Sequence, residues 1–222
     1  MTGQIEQMQS IAYFARLKTA ELESISHYFG PRSAQRGELI VMEGGPAQFL
    51  YLVASGVVRV FLTSADGREQ VLQLARPGDS FNDVAVLDGF PNVASAAAMS
   101  QVLLYSIGKE DLQHILEQYP SIRKNVITIL AGQLRRLVFL VTDLSFKRVT
   151  ARLARLLLEQ SRVAETSPYL TQQQMATMIG TVREMIGRAL KDLELAGAIR
   201  MERHRIVVVD IKSLERISEL PY

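Results

Sequence analysis

The sequence predicts an α+β chain of 222 residues. The expected order is an antiparallel β jelly roll, one long helix, and a small helical domain closed by a hairpin. Three observations predict it. From Arg36 on, short β-rich runs alternate with glycine turns. Ser121 to Phe146 then run 26 residues without proline and with one glycine. Beyond Phe146, apolar residues return at helical spacing before two short strand-like runs.

Residues 11–30, "IAYFARLKTAELESISHYFG", carry apolar positions at three-to-four spacing and read as a helix stopped by Gly30-Pro31. The next runs are "GELIVMEGG", "FLYLVASGVVRVFLT", "REQVLQLARPGDSF" and "VASAAAMSQVLLYSIG". Gly44-Gly45-Pro46, Ser55-Gly56, Asp66-Gly67 and Pro77-Gly78 punctuate them. Asp-Gly between two such runs is a strong hairpin signal. This spacing of short strands places an antiparallel jelly roll at about residues 31–108. "KEDLQHILEQYP" reads as a short helix ended by Pro120, which closes a first domain at 1–120.

Residues 121–146 form the long helix. Val126, Leu130, Gln133, Leu137, Val141 and Leu144 fall near a seven-residue repeat, and Ile122, Ile129, Leu134, Val138 and Leu140 widen the stripe. Such a seam must bury against something. One reading is a core helix lying on the sandwich. The other, which the pattern favours, is a two-fold dimer helix with Gln133 in the seam.

Residues 147–222 form the last domain. "VTARLARLLLEQSRV" is an amphipathic helix, "ETSPY" a loop, and Thr171 with Gln174 three residues later matches a capping box. Gly180 makes a turn, Thr181 opens a helix through "VREMIGRALKDLE", and "AIRM" and "RIVVVD" flank Glu202-Arg203-His204. Helix, helix, turn, helix and hairpin in this order make a winged helix-turn-helix.

Composition excludes several functions. There are no cysteines, which removes disulfides and Fe–S clusters. The N-terminus lacks the basic and apolar regions of a signal peptide, and no run approaches the roughly 18 apolar residues of a membrane span. A cytoplasmic chain without a membrane partner is expected. His27, His114 and His204 fall on separate elements, with no nucleophile elbow, phosphate loop or metal spacing near them, so no enzyme is expected. Residues 1–145 hold 12 basic and 14 acidic side chains, net −2, while residues 146–222 hold 13 and 9, net +4. The basic part is the last domain, where a polyanion is the expected partner.

At 100° per residue, Val182, Met185, Ile186, Ala189, Leu190 and Leu193 group on one side of the last long helix. Arg183, Glu184, Gly187 and Arg188 occupy the other. Arginine's fork matches guanine O6 and N7, and a carboxylate accepts from cytosine N4. Gly187 keeps this face low, at the cost of about 1 kcal/mol against alanine. The alternatives are a solvated face, and for Glu184 a capping-box role with Thr181. Wing residues Arg200, Arg203, His204 and Arg205 are candidates for phosphates.

"RExxGR" after a capped helix and glycine turn, behind a glycine-punctuated sandwich and a long helix, resembles the Crp/Fnr family of bacterial transcription regulators. "RGELIVMEGGPAQFLYLVASGVVRVFL" and "DGREQVLQLARPGDSF" are similar to its cyclic-nucleotide-binding-like sensor domain. The resemblance implies base reading by Arg183, Glu184 and Arg188 of a palindromic TGTGA-like site. It places Thr171, Gln172 and Thr181 near phosphate contacts, beside Gly187 and Arg203. It implies double-stranded DNA, a second copy of the chain and RNA polymerase as partners. Val182 stands where that branch has serine, one polar contact fewer.

The sensor departs from the cyclic AMP pattern. Asn82-Asp83-Val84 stands where the resemblance places Gly-Glu-Leu, and Val93-Ala94 where it places the phosphate-holding Arg-Ser pair. Leu137 and Val138 replace the adenine-contacting hydroxyls. Burying a phosphate without a cation is costly, and Asp83 would repel it. The expectation is no cyclic AMP and an effector that is apolar or absent. "DGFPNVASA" and "LSFKRVTARLARLL" are most similar to the nitric-oxide-responsive Dnr/NnrR type, which implies heme, with Met8, Met42, Met99, His27 and His114 as candidate axial ligands beside ordinary core or surface roles.

Overall fold

The computed structural model describes residues 8–9, 11–161, 170–202 and 205–220. The chain divides into two compact units, residues 1–62 with 72–136, and residues 63–71 with 137–222.

The jelly roll forms as the alternation of strands and glycine turns requires. Its strands are β1 (Gly30–Ala34), β2 (Leu39–Val41), β3 (Phe49–Ser55), β4 (Val58–Thr63), β5 (Glu69–Ala75), β6 (Ser80–Phe81), β7 (Ser95–Ala98) and β8 (Val102–Gly108). They make two four-stranded sheets, β1-β8-β3-β6 and β2-β7-β4-β5. The register of the first sheet sets Gly30 and Tyr51 on either side of Ser106. Val53, Val58, Phe81, Ala96 and Leu104 fill the space between the sheets. Gly67 takes a left-handed φ of 80° in the Asp-Gly turn between β4 and β5.

Residues 11–30 do not form the single helix that their spacing predicts. A 3-10 turn (Ala12–Phe14), helix α1 (Thr19–Ile25) and a second 3-10 turn (Ser26–Tyr28) follow one another, and Gly30-Pro31 opens β1. Arg16 breaks the run with a φ of 71°. The carbonyls of Tyr13 and Ala15, which a continuous helix would use itself, accept instead from Asn125 Nδ2, each at 2.9 Å. Tertiary hydrogen bonds and the burial of Tyr13 and Phe14 override the local period.

Helix α2 (Asp83–Asp88) lies between β6 and β7, α3 (Lys109–Gln118) follows β8, and α4 (Pro120–Phe146) is the long helix. Proline suits its first position, where the missing N–H has no helical partner. Ile122 and Val126 are buried with Met8, Phe14, Ile25, Leu52, Ile107 and Ile115. Val126 therefore belongs to the chain's own core and not to a dimer seam. Gln133 also turns inward, its Nε2 donating to Asp83 Oδ2 at 3.3 Å. Contrary to the run-length expectation, α4 is long and apolar enough by composition to cross a membrane. It carries Arg123, Lys124, Arg135 and Arg136, and packs on the first unit's core through Ile122 and Val126.

In the second unit, α5 (Val149–Ser161), α6 (Gln172–Ile179), α7 (Arg183–Leu195) and α8 (Ile211–Ser218) enclose a core of Leu153, Leu157, Met175, Ile186, Leu190, Leu193 and Leu214. Strands β9 (Ile199–Glu202) and β10 (Arg205–Val208) pair antiparallel as the wing. The "ETSPY" loop, Arg203 and His204 lie outside the described residues.

Candidate nucleic-acid interface

The interface is assembled from α6, the turn at Gly180 and α7. Thr171 caps α6: its Oγ1 accepts from Gln174 N at 3.2 Å, and its own N–H donates to Gln174 Oε1 at 2.8 Å. This is the capping box that the spacing predicts. Gly180 ends α6 with a φ of 66°. A Cβ there would lie 2.4 Å from Gln70 Oε1 and 2.5 Å from Leu144 Cδ2, so both conformation and space call for glycine.

Arg152, which sequence reasoning passed over, fixes this turn. It is 8% exposed, and its Nη1 donates to the carbonyls of Ile179 and Gly180, the latter at 3.3 Å. Gln70 Nε2 donates to the carbonyl before them, Met178, at 3.4 Å. A cation on carbonyls at a helix C-terminus opposes the negative end of its dipole. The available signal was an arginine on the apolar side of "ARLARLLL", where an unpaired cation would not be tolerated.

Helix α7 begins at Arg183 with Val182 as its N-cap. Glu184 is therefore the second helical residue and makes no capping box with Thr181. Arg183, Glu184 and Arg188 are exposed, while Ile186, Ala189, Leu190 and Leu193 on the other side are buried. Val182, grouped by the helical wheel with the apolar side, is 44% exposed. None of Arg183, Glu184 and Arg188 has a partner among the described residues. A Cβ on Gly187 would meet nothing within 4 Å. No internal contact thus requires a glycine in mid-helix. Thr171, at the start of α6, is exposed, and Gln172 and Thr181 are half-buried. On the wing, Arg200 is paired with Glu202, its Nε donating at 2.7 Å.

The sensor positions behave differently from one another. Asn82 holds a left-handed φ of 65°, with Nδ2 donating to the Phe49 carbonyl and to Asn92 Oδ1 at 3.0 Å each. Asp83 is buried and hydrogen-bonded to the Tyr13 hydroxyl and Gln133. Burial raises its carboxyl above the usual range, against those hydrogen bonds. Burial, and then the Asp83 charge, raises Tyr13 well above its ordinary value. Asp83 thus faces inward to Tyr13, rather than outward where it would repel a phosphate. Ala94 is buried, and Val93 is 53% exposed with no cation in its side chain or the next. In the second unit, Leu137 and Val138 are 41% and 56% exposed.

The candidate heme ligands differ in setting. Met8 and Met99 are buried, Met42 is 63% exposed, and His27 and His114 are surface residues whose rings both lie near the Tyr28 ring. Among the described residues no three His, Cys, Asp or Glu side chains are grouped to hold a metal ion.

Comparison with known proteins agrees with this architecture. Residues 31–119 match the cyclic nucleotide-binding domain family, and residues 151–217 the Crp-like helix-turn-helix domain. Over 212 residues the chain is 31% identical to a cyclic AMP receptor protein of Thermus thermophilus, covering 95% of this chain and 98% of that protein. It is 28% identical over 211 residues to a CRP-like cAMP-activated global transcriptional regulator of Mycobacterium tuberculosis, covering 91% and 94%. The crystal structure of a CRP/FNR-family transcriptional regulator from Thermus thermophilus superimposes with a TM-score of 0.73 at 26% identity, covering 86% of this chain and 99% of that one. The sensor roll, the long helix and the winged helix-turn-helix, matched over nearly the full length, establish that this chain belongs to the Crp/Fnr family of DNA-binding transcription regulators and is not an enzyme.

Proposed function

We propose that the chain acts in the cytoplasm as a homodimer on a palindromic, TGTGA-like DNA site, and that cyclic AMP is not its signal. The observation that carries the DNA reading is the α7 face: two arginines and a glutamate, exposed and unpaired among the described residues, around a glycine that nothing inside the chain requires. Arg183 and Arg188 would read guanines, Glu184 a cytosine, and Thr171, Gln172 and Thr181 would position the backbone. A basic last domain, net +4, supports the approach to DNA.

The test is titration of specific and random duplexes. Arg188→Ala is expected to cost about 1–3 kcal/mol on the specific site and to relax the choice at one base pair. Equal losses on both duplexes would make Arg188 a phosphate contact. Against cyclic AMP stand Val93 and Ala94, which offer no cation to a buried phosphate. Calorimetry at millimolar nucleotide should give no heat of binding, and tight binding that raises DNA affinity would overturn this part.

A further inference from the structure

The first unit contains an open cavity of about 260 Å3 that none of Asn82, Asp83, Val93 and Ala94 lines. Its walls are Ala12, the β5–β6 turn with Gly78, Asp79 and Ser80, Gln73 of β5, and one face of α4. Ile129, Gly132, Gln133 and Arg136 share that face by helical spacing. It points roughly 150° around the helix from Leu134, Val138 and Val141. A partner copy on the latter side therefore leaves the cavity open.

Two features suggest a built site. Gly132 interrupts the middle of a 27-residue helix, yet a Cβ there would meet nothing within 4 Å. The helix thus bears a glycine's cost of about 1 kcal/mol at a position where the missing side chain only enlarges the cavity. Second, unlike charges line the space. Asp79 Oδ2 accepts from Arg76 N at 2.9 Å. The exposed Arg136 has no partner among the described residues. Gln133 joins the cavity wall to the buried Asp83 behind it.

We propose that this cavity binds a free α-amino acid, Arg136 taking the carboxylate and Asp79 the ammonium. A ligand of single charge would leave one wall charge desolvated and unmatched, whereas a zwitterion answers both. The volume lies just below the 300–1,000 Å3 usual for drug-sized ligands, which suits a small molecule and excludes a heme or a dinucleotide. The Thr128 hydroxyl, which donates to the Lys124 carbonyl, and Gln133 Oε1 remain as acceptors for a polar side chain. Because α4 forms one wall, occupancy would favour one placement of that helix over another, and the differential affinity sets the size of the shift. This deepens the reading of the chain as an effector-controlled regulator, and it is measured without DNA.

The test is thermal melting and calorimetry of the full chain with each standard amino acid singly, beside butyrate and butylamine. One or a few amino acids should raise the melting temperature, and neither single-charge probe should. Arg136→Gln and Asp79→Asn should each lower affinity about tenfold or more, the scale of one charge-assisted hydrogen bond. Gly132→Leu should fill the space and abolish binding while raising the melting temperature of the free protein. The proposal falls if no amino acid binds, if butyrate or butylamine binds equally well, or if binding survives Gly132→Leu. Amino-acid binding by a chain that fails to bind any DNA would instead remove the regulator reading and leave the site standing.

Discussion

Two single residues have functional and structural effects that can be separated. At Gly187 the helix gives up about 1 kcal/mol of stability, yet an added Cβ would touch nothing in the chain. Gly187→Ala should therefore raise the melting temperature by about 2–4 °C, the scale for 1 kcal/mol in a chain of this size. It should weaken specific DNA binding, because the methyl stands where a base edge must approach. A more stable variant with unchanged affinity would show that the glycine serves no contact. Asp83 works through solvation. Its folded carboxyl titrates above the unfolded value because burial disfavours the charge. A raised folded value means that its contribution is full below the unfolded range, near pH 4, and is lost as pH rises through the folded value. Asp83→Asn keeps an oxygen for the Tyr13 hydroxyl and removes the charge. The variant should thus gain on the parent as pH rises and lose that advantage as pH falls toward about 4, measured by denaturant melts across that range.

At the scale of elements, the turn between α6 and α7 is where stability and recognition meet. Three successive carbonyls at the end of α6 are answered by side chains, Met178 by Gln70 and Ile179 with Gly180 by Arg152. Arg152→Met should leave two carbonyls without their donor and cost about 1–3 kcal/mol. Since α7 is then misaimed as a whole, specific and random duplexes should both bind more weakly, unlike the selective loss at Arg188→Ala. A melting temperature within a degree of the parent's would show that the cation contributes nothing there. These elements also show what periodicity can and cannot convey. The capping box of Thr171 and Gln174 and the left-handed glycine at 180 are local chemistry and were legible in the sequence. So was the amphipathic split of α7, because its apolar half faces one continuous core. The start of α7 was not legible to the residue, since Thr181 and Val182 compete for the cap and the backbone, not the side chain, decides. The segment 11–30 was misread because Asn125, more than a hundred residues away, takes its carbonyls. Arg152 was missed because a buried cation is found only through the carbonyls it meets.

For the whole molecule the open question is what covers α4. Its early turns are spent on the first unit's core through Ile122 and Val126, and Gln133 is held by Asp83. Leu134, Val138 and Val141, by contrast, stay largely in water among the described residues, at 64%, 56% and 63% exposure. These recur at four and three residues and so share one side of the helix. A continuous apolar side of this kind costs roughly 25 cal/mol for each Å2 left in water, and a second copy related by a two-fold axis can bury it against itself. A two-fold dimer also matches the symmetry of a palindrome, whose half-sites lie one helical turn of DNA, about 34 Å, apart. On the proposed homodimer, the seam would be centred on Leu134, Val138 and Val141 with Leu137 at its edge. Leu134→Glu combined with Val141→Glu should leave each chain folded, because neither side chain is buried in it, while placing like charges across the axis. Sedimentation should then give monomers. Affinity for the palindrome should collapse toward that for a single half-site, while the far-ultraviolet spectrum and melting of the first unit stay as in the parent. A parent chain that sediments as a monomer at micromolar concentration, with and without DNA, would show that some other surface covers this helix.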